Sequence, residues 1–416
     1  MKRSFSPLQT NEFTRRHQAL VTTIREGDLD YFVATTTDNI FYLTGATFEP
    51  LERPFFLIIG KDGSRRIVVP ALERDHMGKA WGIESDCVLT YRDFPAPEGQ
   101  GWADVLLNTD LASSRFAFDD GTPLTVASAL LNVGGQAADP VGTLRVVKSD
   151  WEVAQIERAA RYADWGVAEI LRRAWNGASA AETYMPNQSL QRKIIREVAD
   201  WDALATKIIA GAWPAPTSAE PHSVPRLTDR LRAGPHVAMV LTRVNGYAAE
   251  SERTFFTQPP TARERDMFRT VERARQIAFA MIRPGVMCAA IDAAVNRFMN
   301  EAGFSDFQTR LHRCGHGFGL GNHEPPWIAE GSTEVLQQNM VISIEPALYE
   351  RGVGGYRHSD TVLVTADGFR SLTQAPLDIE SLTVARTTLR HRLNSWAVGK
   401  ALGIGGRVLP ENKESQ

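Results

Sequence analysis

Residues 11–27, NEFTRRHQALVTTIREG, bring Leu20, Val21 and Ile24 onto one face and end at Gly27, the spacing of an amphipathic helix. DYFVATT follows as a strand, and FFLIIGKDGSRRIVVP reads as a hairpin, two β-branched or aromatic runs around a Lys-Asp-Gly turn. The short strands CVLTYRD and RFAFDD then alternate with helical stretches. Near residue 145 the texture changes. Ser149-Asp150-Trp151-Glu152 has the form of a capping box and opens a long helix through Arg172 and Arg173. Strands now come in antiparallel sets. VAMVLTRV and YAAESERTFF flank Asn245-Gly246, a strong hairpin signal, and MVISIEPALY and SDTVLVT flank the turn ERGVGGYRH. The pattern predicts an α/β domain over 1–145 and an α+β domain over 146–385, whose helices cover a curved antiparallel sheet. Residues 386–416 read as an extension with one amphipathic stretch and a polar tail expected to fray.

A chain of 416 residues is long for one core, in keeping with two domains. Hydrophobic residues at 43% and charged residues at 23% are those of a soluble globular protein. The net charge of −3 offers no basic footprint for nucleic acid and no polybasic membrane anchor. No apolar run approaches a membrane span, and MKRSFSPLQT lacks the apolar core of a secretory signal. Cys87, Cys288 and Cys314 are odd in number and widely spaced, which disfavours a disulfide framework or zinc knuckle and fits a reducing cytoplasm.

Polar residues interrupt the apolar strands at a few places. Strand alternation puts Glu250 and Glu252 on one face, Ser251 and Arg253 on the other. Two such carboxylates repel unless a metal ion, a basic side chain or a cationic substrate lies between them; a solvated strand face is the plain alternative. Glu345 falls within the apolar run MVISIEPALY, where it needs a partner, either a functional one or a structural arginine such as Arg357. CGHGFGLGNHEPP brings His316 and His323 into a glycine-rich stretch that lets a ligand approach the backbone. His222, in TSAEPHSVP, is unremarkable by itself. Arg357, His358, Ser359 and Asp360 enter a strand together in GGYRHSDTVLVT, either as a catalytic edge or as the polar mouth of a hairpin.

RTF at 253–255, GHGFGL at 315–320, HEPP at 323–326, SIEP at 343–346 and YRHSDTVLVT together resemble the creatinase/aminopeptidase, or pita-bread, family, peptidase family M24. TTDNIFYLTG resembles a recurring segment of that family's N-terminal domain. The resemblance implies a pita-bread catalytic domain, and usually a homodimer in which one subunit's N-terminal domain helps close its partner's site. Its metallopeptidases hold two divalent ions with Asp, Asp, His, Glu and Glu. Those positions fall here on Met239, Glu250, His316, Glu345 and Ser359. A thioether and a neutral hydroxyl replace two carboxylates, which argues against a dinuclear site. His358 could substitute for Ser359 only through a register slip that the alternation disfavours.

The resemblance is nearer to metal-independent creatinase in pattern. His222 falls on its general acid/base, Glu252 and Glu345 on the glutamates that hold a guanidinium group, and Arg53, in LERPFFLII, on an arginine that reaches across the dimer to the substrate carboxylate. A second carboxylate-binding arginine has no counterpart in EPPWIAEGST, which points away from creatine itself. The expectation is therefore a metal-independent, cofactor-free hydrolase cleaving a C–N bond in a small cationic, guanidino- or amidino-like substrate. His222, Glu252 and Glu345 would be catalytic, and Arg53, Glu250, His316 and His323 would bind substrate, with no metal and no nucleic-acid or membrane partner. The alternatives are an Xaa-Pro aminopeptidase- or prolidase-like metallopeptidase with a degenerate mononuclear site on Glu250, His316 and Glu345, a lyase, or a binding protein without catalysis.

Overall fold

Local sequence accounts for where most elements begin and turn. The computed structural model describes residues 5–404, which divide into two compact units: residues up to Trp151 together with Asp202–Ala205, and the remainder. Helix Pro7–Glu26 opens the first unit. Ser6 caps it by accepting from the Gln9 amide while the Gln9 side chain accepts from the Ser6 amide, and Pro7 supplies a preset φ where no donor is needed. It buries Leu20, Val21 and Ile24, the face expected from the spacing.

The first unit's strands are β1 (Tyr31–Ala34), β2 (Phe56–Gly60), β3 (Arg65–Pro70), β4 (Val88–Tyr91), β5 (Phe116–Phe118) and β6 (Gln136–Ala137). They form a mixed sheet in the order β4-β3-β2-β1-β5-β6. The hairpin β2–β3 is antiparallel, whereas β1 runs parallel to β5. Phe56, Ile58, Val68, Phe116, Phe118 and Leu130 belong to its buried core.

The second unit is built on β7 (Lys207–Trp213), β8 (His236–Val244), β9 (Tyr247–Phe255), β10 (Gly315–Gly317), β11 (Glu324–Ile328), β12 (Val341–Ile344), β13 (Ala347–Glu350), β14 (Gly354–Arg357), β15 (Ser359–Val364) and β16 (Phe369–Ser371). The main sheet runs β11-β10-β12-β15-β9-β8-β7, with β16 on β15. Its ladders are antiparallel. Asn245 and Gly246 both adopt positive φ, the conformation a two-residue hairpin turn demands, so β8 and β9 pair along their whole length. Helix Asp150–Arg173 packs on this sheet so closely that a Cβ on Gly166 would stand 2.8 Å from a Val240 methyl. Helices Ala262–Met281 and Cys288–Glu301 pack on each other.

One expected strand divides. MVISIEPALY is two strands, because Pro346 has no N–H to donate and the ladder stops at Ile344. β12 pairs with β15, whereas β13 turns away to pair with β14, so Glu345 stands at the break and not within a strand. Helix Leu389–Leu402 follows the second unit's core and buries none of its residues; Leu389, Leu393 and Trp396 are exposed. The polar tail expected to fray, residues 405–416, lies outside the described residues. Among the described residues no helix is long and apolar enough to cross a membrane.

His358 is fully buried between β14 and β15, edge-on to Phe268 at 4.7 Å, and neither ring nitrogen has a hydrogen-bond partner among the described residues. Burial, with the charges of Arg253 and Arg275, holds it neutral far below the ordinary histidine range. The unfolded chain therefore binds a proton below about pH 6.5 that the folded chain refuses. Stability falls with pH in that window by about 1.4 kcal/mol per unit from this group alone. His358→Leu should lessen the acid loss by that slope, measured by denaturant unfolding between pH 7 and pH 5; parallel curves for the two proteins would refute the assignment.

Candidate active site

The pleat of β9 separates two charged layers. On one side Ser251 donates to Asp164 at 3.0 Å, and Arg253 pairs with Asp360 at 2.7 Å. Asp360 also pairs with Arg275, and Thr373 donates to it, so this carboxylate is fully satisfied and held below its usual range against the cost of burial. Arg253 further donates to the carbonyls of Glu252 and Ser359. These contacts fix β9 against β15, with Ser251 opposite Asp360 and Glu252 opposite Ser359. The register on the other flank puts Met239 opposite Glu252. Met239, Glu252 and Ser359 therefore stand in one row across the sheet, on the same face as Glu250.

That face carries a buried cluster of opposite charges. His316 Nε2 lies 3.2 Å from Glu345 and 3.8 Å from Glu250. Arg357 pairs with Glu252, with Nη2 donating to Oε1 at 3.1 Å, and its Nη1 donates to the Tyr349 hydroxyl at 3.3 Å. His312 Nε2 meets the same hydroxyl at 2.8 Å. Ser359 donates its hydroxyl to Glu250. Burial would raise Glu345, but the contact with His316 and the charges of His312 and Arg357 hold it down at about 2. Burial opposes the charge on His316 too, yet Glu345 and Glu250 raise it above the ordinary histidine range. Glu250 has no guanidinium of its own, and burial, reinforced by the charge of Glu345, pushes it up to about 8. Three carboxyl groups thus share two internal cations, Arg357 and His316, and Glu250, the one left over, keeps its proton at neutral pH and would ionise only beside a further positive charge.

Glu250, Glu252, His316 and Glu345 come together in this cluster, and the His323 ring lies 4.0 Å from that of His316. Burial and the charge of His316 lower His323 to about 4, so it is neutral at physiological pH. His222 is exposed in its loop, near enough for its charge to reach His323. Arg53 belongs to the first unit, 3.7 Å from both Glu52 and Asp93. The structural alternative of an Arg357–Glu345 pair is not the one formed. Arg357 pairs with Glu252, and Glu345 takes His316 as its partner. His358 lies away from the cluster, against Phe268, so no register slip brings it toward the Ser359 position. Tyr349 and His312 carried no signal in the sequence, because the β13–β14 hairpin brings Tyr349 beside Arg357 and His312 reaches the Tyr349 hydroxyl from the stretch before β10.

Residues 154–366 match metallopeptidase family M24, and residues 16–147 match the creatinase/prolidase N-terminal domain. The chain belongs to metallopeptidase family M24, a family of hydrolases, and has its two-domain pita-bread fold. It is 26% identical over 371 residues to the Xaa-Pro dipeptidase of Lactobacillus delbrueckii subsp. lactis, covering 87% of this chain and 97% of that one. Dipeptidase PepE from Mycobacterium ulcerans superposes with a TM-score of 0.73 at 28% identity, covering 89% of this chain and 98% of that one. The prolidase from Pyrococcus horikoshii OT3 does so with a TM-score of 0.72 at 22% identity, covering 88% and 99%. These relatives overturn the expectation of a metal-independent, creatinase-like amidinohydrolase. That reading rested on a few residues of the site, whereas the likeness to dipeptidases runs through nearly the whole chain.

The donor set does not fit two ions. Met239 offers a soft thioether, Ser359 a neutral hydroxyl already given to Glu250, and the intervening Glu252 is held by Arg357. It does fit one. Among the described residues, ligand atoms of Glu250, His316 and His323 all lie within 4.8 Å of one another, and the neutral imidazole of His323 is in the form a metal requires. Binding there would require His316 to release its proton.

The Glu252–Arg357 pair can be tested by itself. Arg357→Met leaves a buried carboxylate uncompensated and should cost about 3–5 kcal/mol of stability. The double variant Arg357→Met, Glu252→Gln should regain most of that loss in denaturant unfolding. Additive losses would show that the two side chains do not depend on each other.

Proposed function

We propose that this chain is a peptidase of the Xaa-Pro dipeptidase type, cleaving the amide bond of a small dipeptide with the help of one metal ion at most. The observation that supports it is the buried Glu250–His316–Glu345 cluster, whose Glu250 carboxyl is raised for want of a cation, at positions that resemble the metal-binding positions of family M24. Glu250, His316 and His323 would hold the ion. When bound, it supplies Lewis-acid polarisation of the scissile carbonyl.

The chain's own residues do the rest. Glu345, ionised and held by His316, gives a fixed negative charge that attracts the α-ammonium group of a dipeptide. Arg357 holds Glu252 in place and opposes the burial that pushes its carboxyl up to about 7, so that the same face presents a second anchored carboxyl group. His222, exposed in its loop, would exchange a proton with the leaving nitrogen or with water.

Purified protein should release proline from dipeptides such as Gly-Pro when supplied with Mn²⁺, and a chelator should reduce the rate. His316→Ala should lower kcat/KM by about 100-fold or more, as expected when an electrostatic contribution to the transition state is removed. Absence of proline release across a panel of Xaa-Pro dipeptides, with and without Mn²⁺, would reject the peptidase reading.

A further inference from the structure

Behind the main sheet lies a cavity ringed by cations. Helix Asp150–Arg173 covers that side: Gly166 packs on Val240, and Asp164 accepts from Ser251 on the face of β9 away from Glu250 and Glu252. Helix Pro186–Glu197 runs beside it. The cavity between the two helices measures about 410 Å³, the scale of a small-molecule pocket. Arg172 and Arg173 line it from the first helix, and Arg192, Lys193 and Arg196 from the second. Its two carboxylates are already taken. Glu169 accepts from Arg172 Nε at 2.9 Å, a contact that holds it below the ordinary carboxylate range. Glu197 accepts from Lys193 at 2.5 Å and from the Tyr162 hydroxyl at 3.0 Å. Arg192 and Arg196 remain. They are exposed, one helical turn apart, and among the described residues neither has an ion-pair partner. Arg173 is half-buried and its Nε has no hydrogen-bond partner, with Glu169 3.9 Å away. Arg390 adds its charge from helix Leu389–Leu402, whose His391 meets the Arg172 carbonyl at 3.2 Å.

Five cations against two carboxylates leave an excess of three positive charges around this cavity, in a chain whose net charge is −3. Like charges one turn apart destabilise a helix, and cations gathered around one cavity repel. An anion carrying several charges relieves both. A single carboxylate would meet one guanidinium fork only. Two linked tetrahedral phosphates offer oxygens to several, and the planar fork of arginine matches phosphate geometry. We propose that the cavity between helices Asp150–Arg173 and Pro186–Glu197 binds a small diphosphate anion through Arg173, Arg192 and Arg196. The site lies behind the sheet from the carboxylate cluster, and the proposal does not depend on the reaction carried out there. An anion held by residues of two folded helices binds the native chain in preference to the unfolded one, so it stabilises the fold.

Calorimetric titration of the full chain with pyrophosphate, in metal-free buffer of constant ionic strength, reads the site directly. Pyrophosphate should bind about 10- to 100-fold more tightly than sulfate or citrate, the effect of additional hydrogen bonds between charged groups. It should also raise the unfolding temperature once its concentration exceeds the Kd. The double variant Arg192→Gln, Arg196→Gln should weaken pyrophosphate binding about 100-fold and leave kcat/KM for Gly-Pro within about two-fold. Lysine at both positions should recover part of the binding, as a point charge without the fork. The comparison of anions on the unaltered protein needs no variant, so it stands even if the double variant fails to fold. Equal binding of the three anions, no binding of pyrophosphate, or undiminished binding to the double variant overturns the proposal. Pyrophosphate binding that the double variant loses upholds it, whether or not Gly-Pro is cleaved.

Discussion

The register between β9 and its two neighbours is the constraint on which the site depends. It is pinned from the reverse face, where Asp360 is shared by Arg253 and Arg275 and Arg253 also donates to two carbonyls of the ladder. A slip by one residue would send Glu250 and Glu252 to the opposite face and bring Ser251 and Arg253 to theirs. Burying such a network is costly unless every member is satisfied, and here Asp360 accepts from two arginines and a threonine. With the register held, Met239, Glu252 and Ser359 fall into one row, and the character of the site follows from that row.

Within the row, one carboxylate stands between a thioether and a hydroxyl. Glu252 does not act as a spare ligand, because Arg357 claims it, and Tyr349 and His312 hold Arg357 in turn. Of the other two carboxyls, Glu345 carries the negative charge and Glu250, raised by burial, keeps its proton at neutral pH, with His316 between them. With a thioether and a hydroxyl at two of the positions that resemble a two-metal site, the face keeps one carboxyl, Glu250, that would ionise only beside a further positive charge, suited to one ion or to the ammonium end of a small substrate.

Much of the fold was legible in the sequence because its signals are local. Asn245-Gly246 requires positive φ at two successive residues, and the hairpin forms there. Alternation along β9 assigned Glu250 and Glu252 to one face without any tertiary information. The break at Glu345 was hidden by the continuous apolar run of MVISIEPALY, although Pro346 marked it. The pairing of cations with carboxylates was less accessible. Arg357 and His316 compete for the same three glutamates, and the winner depends on how β13 and β14 fold away from the sheet, which no short window of sequence records. The creatinase-like reading failed for a related reason: His222, Glu252 and Glu345 are few residues, and they weigh less than the relationship carried by the remaining chain.

The capacity of this face for metal is the central physical claim, and metal stoichiometry tests it most directly. Protein titrated with Mn²⁺, freed of excess and analysed for metal per chain, with anomalous scattering to locate the ion, should show one ion bound by Glu250, His316 and His323. Two ions per chain, or an ion against Met239 and Ser359, would contradict the account.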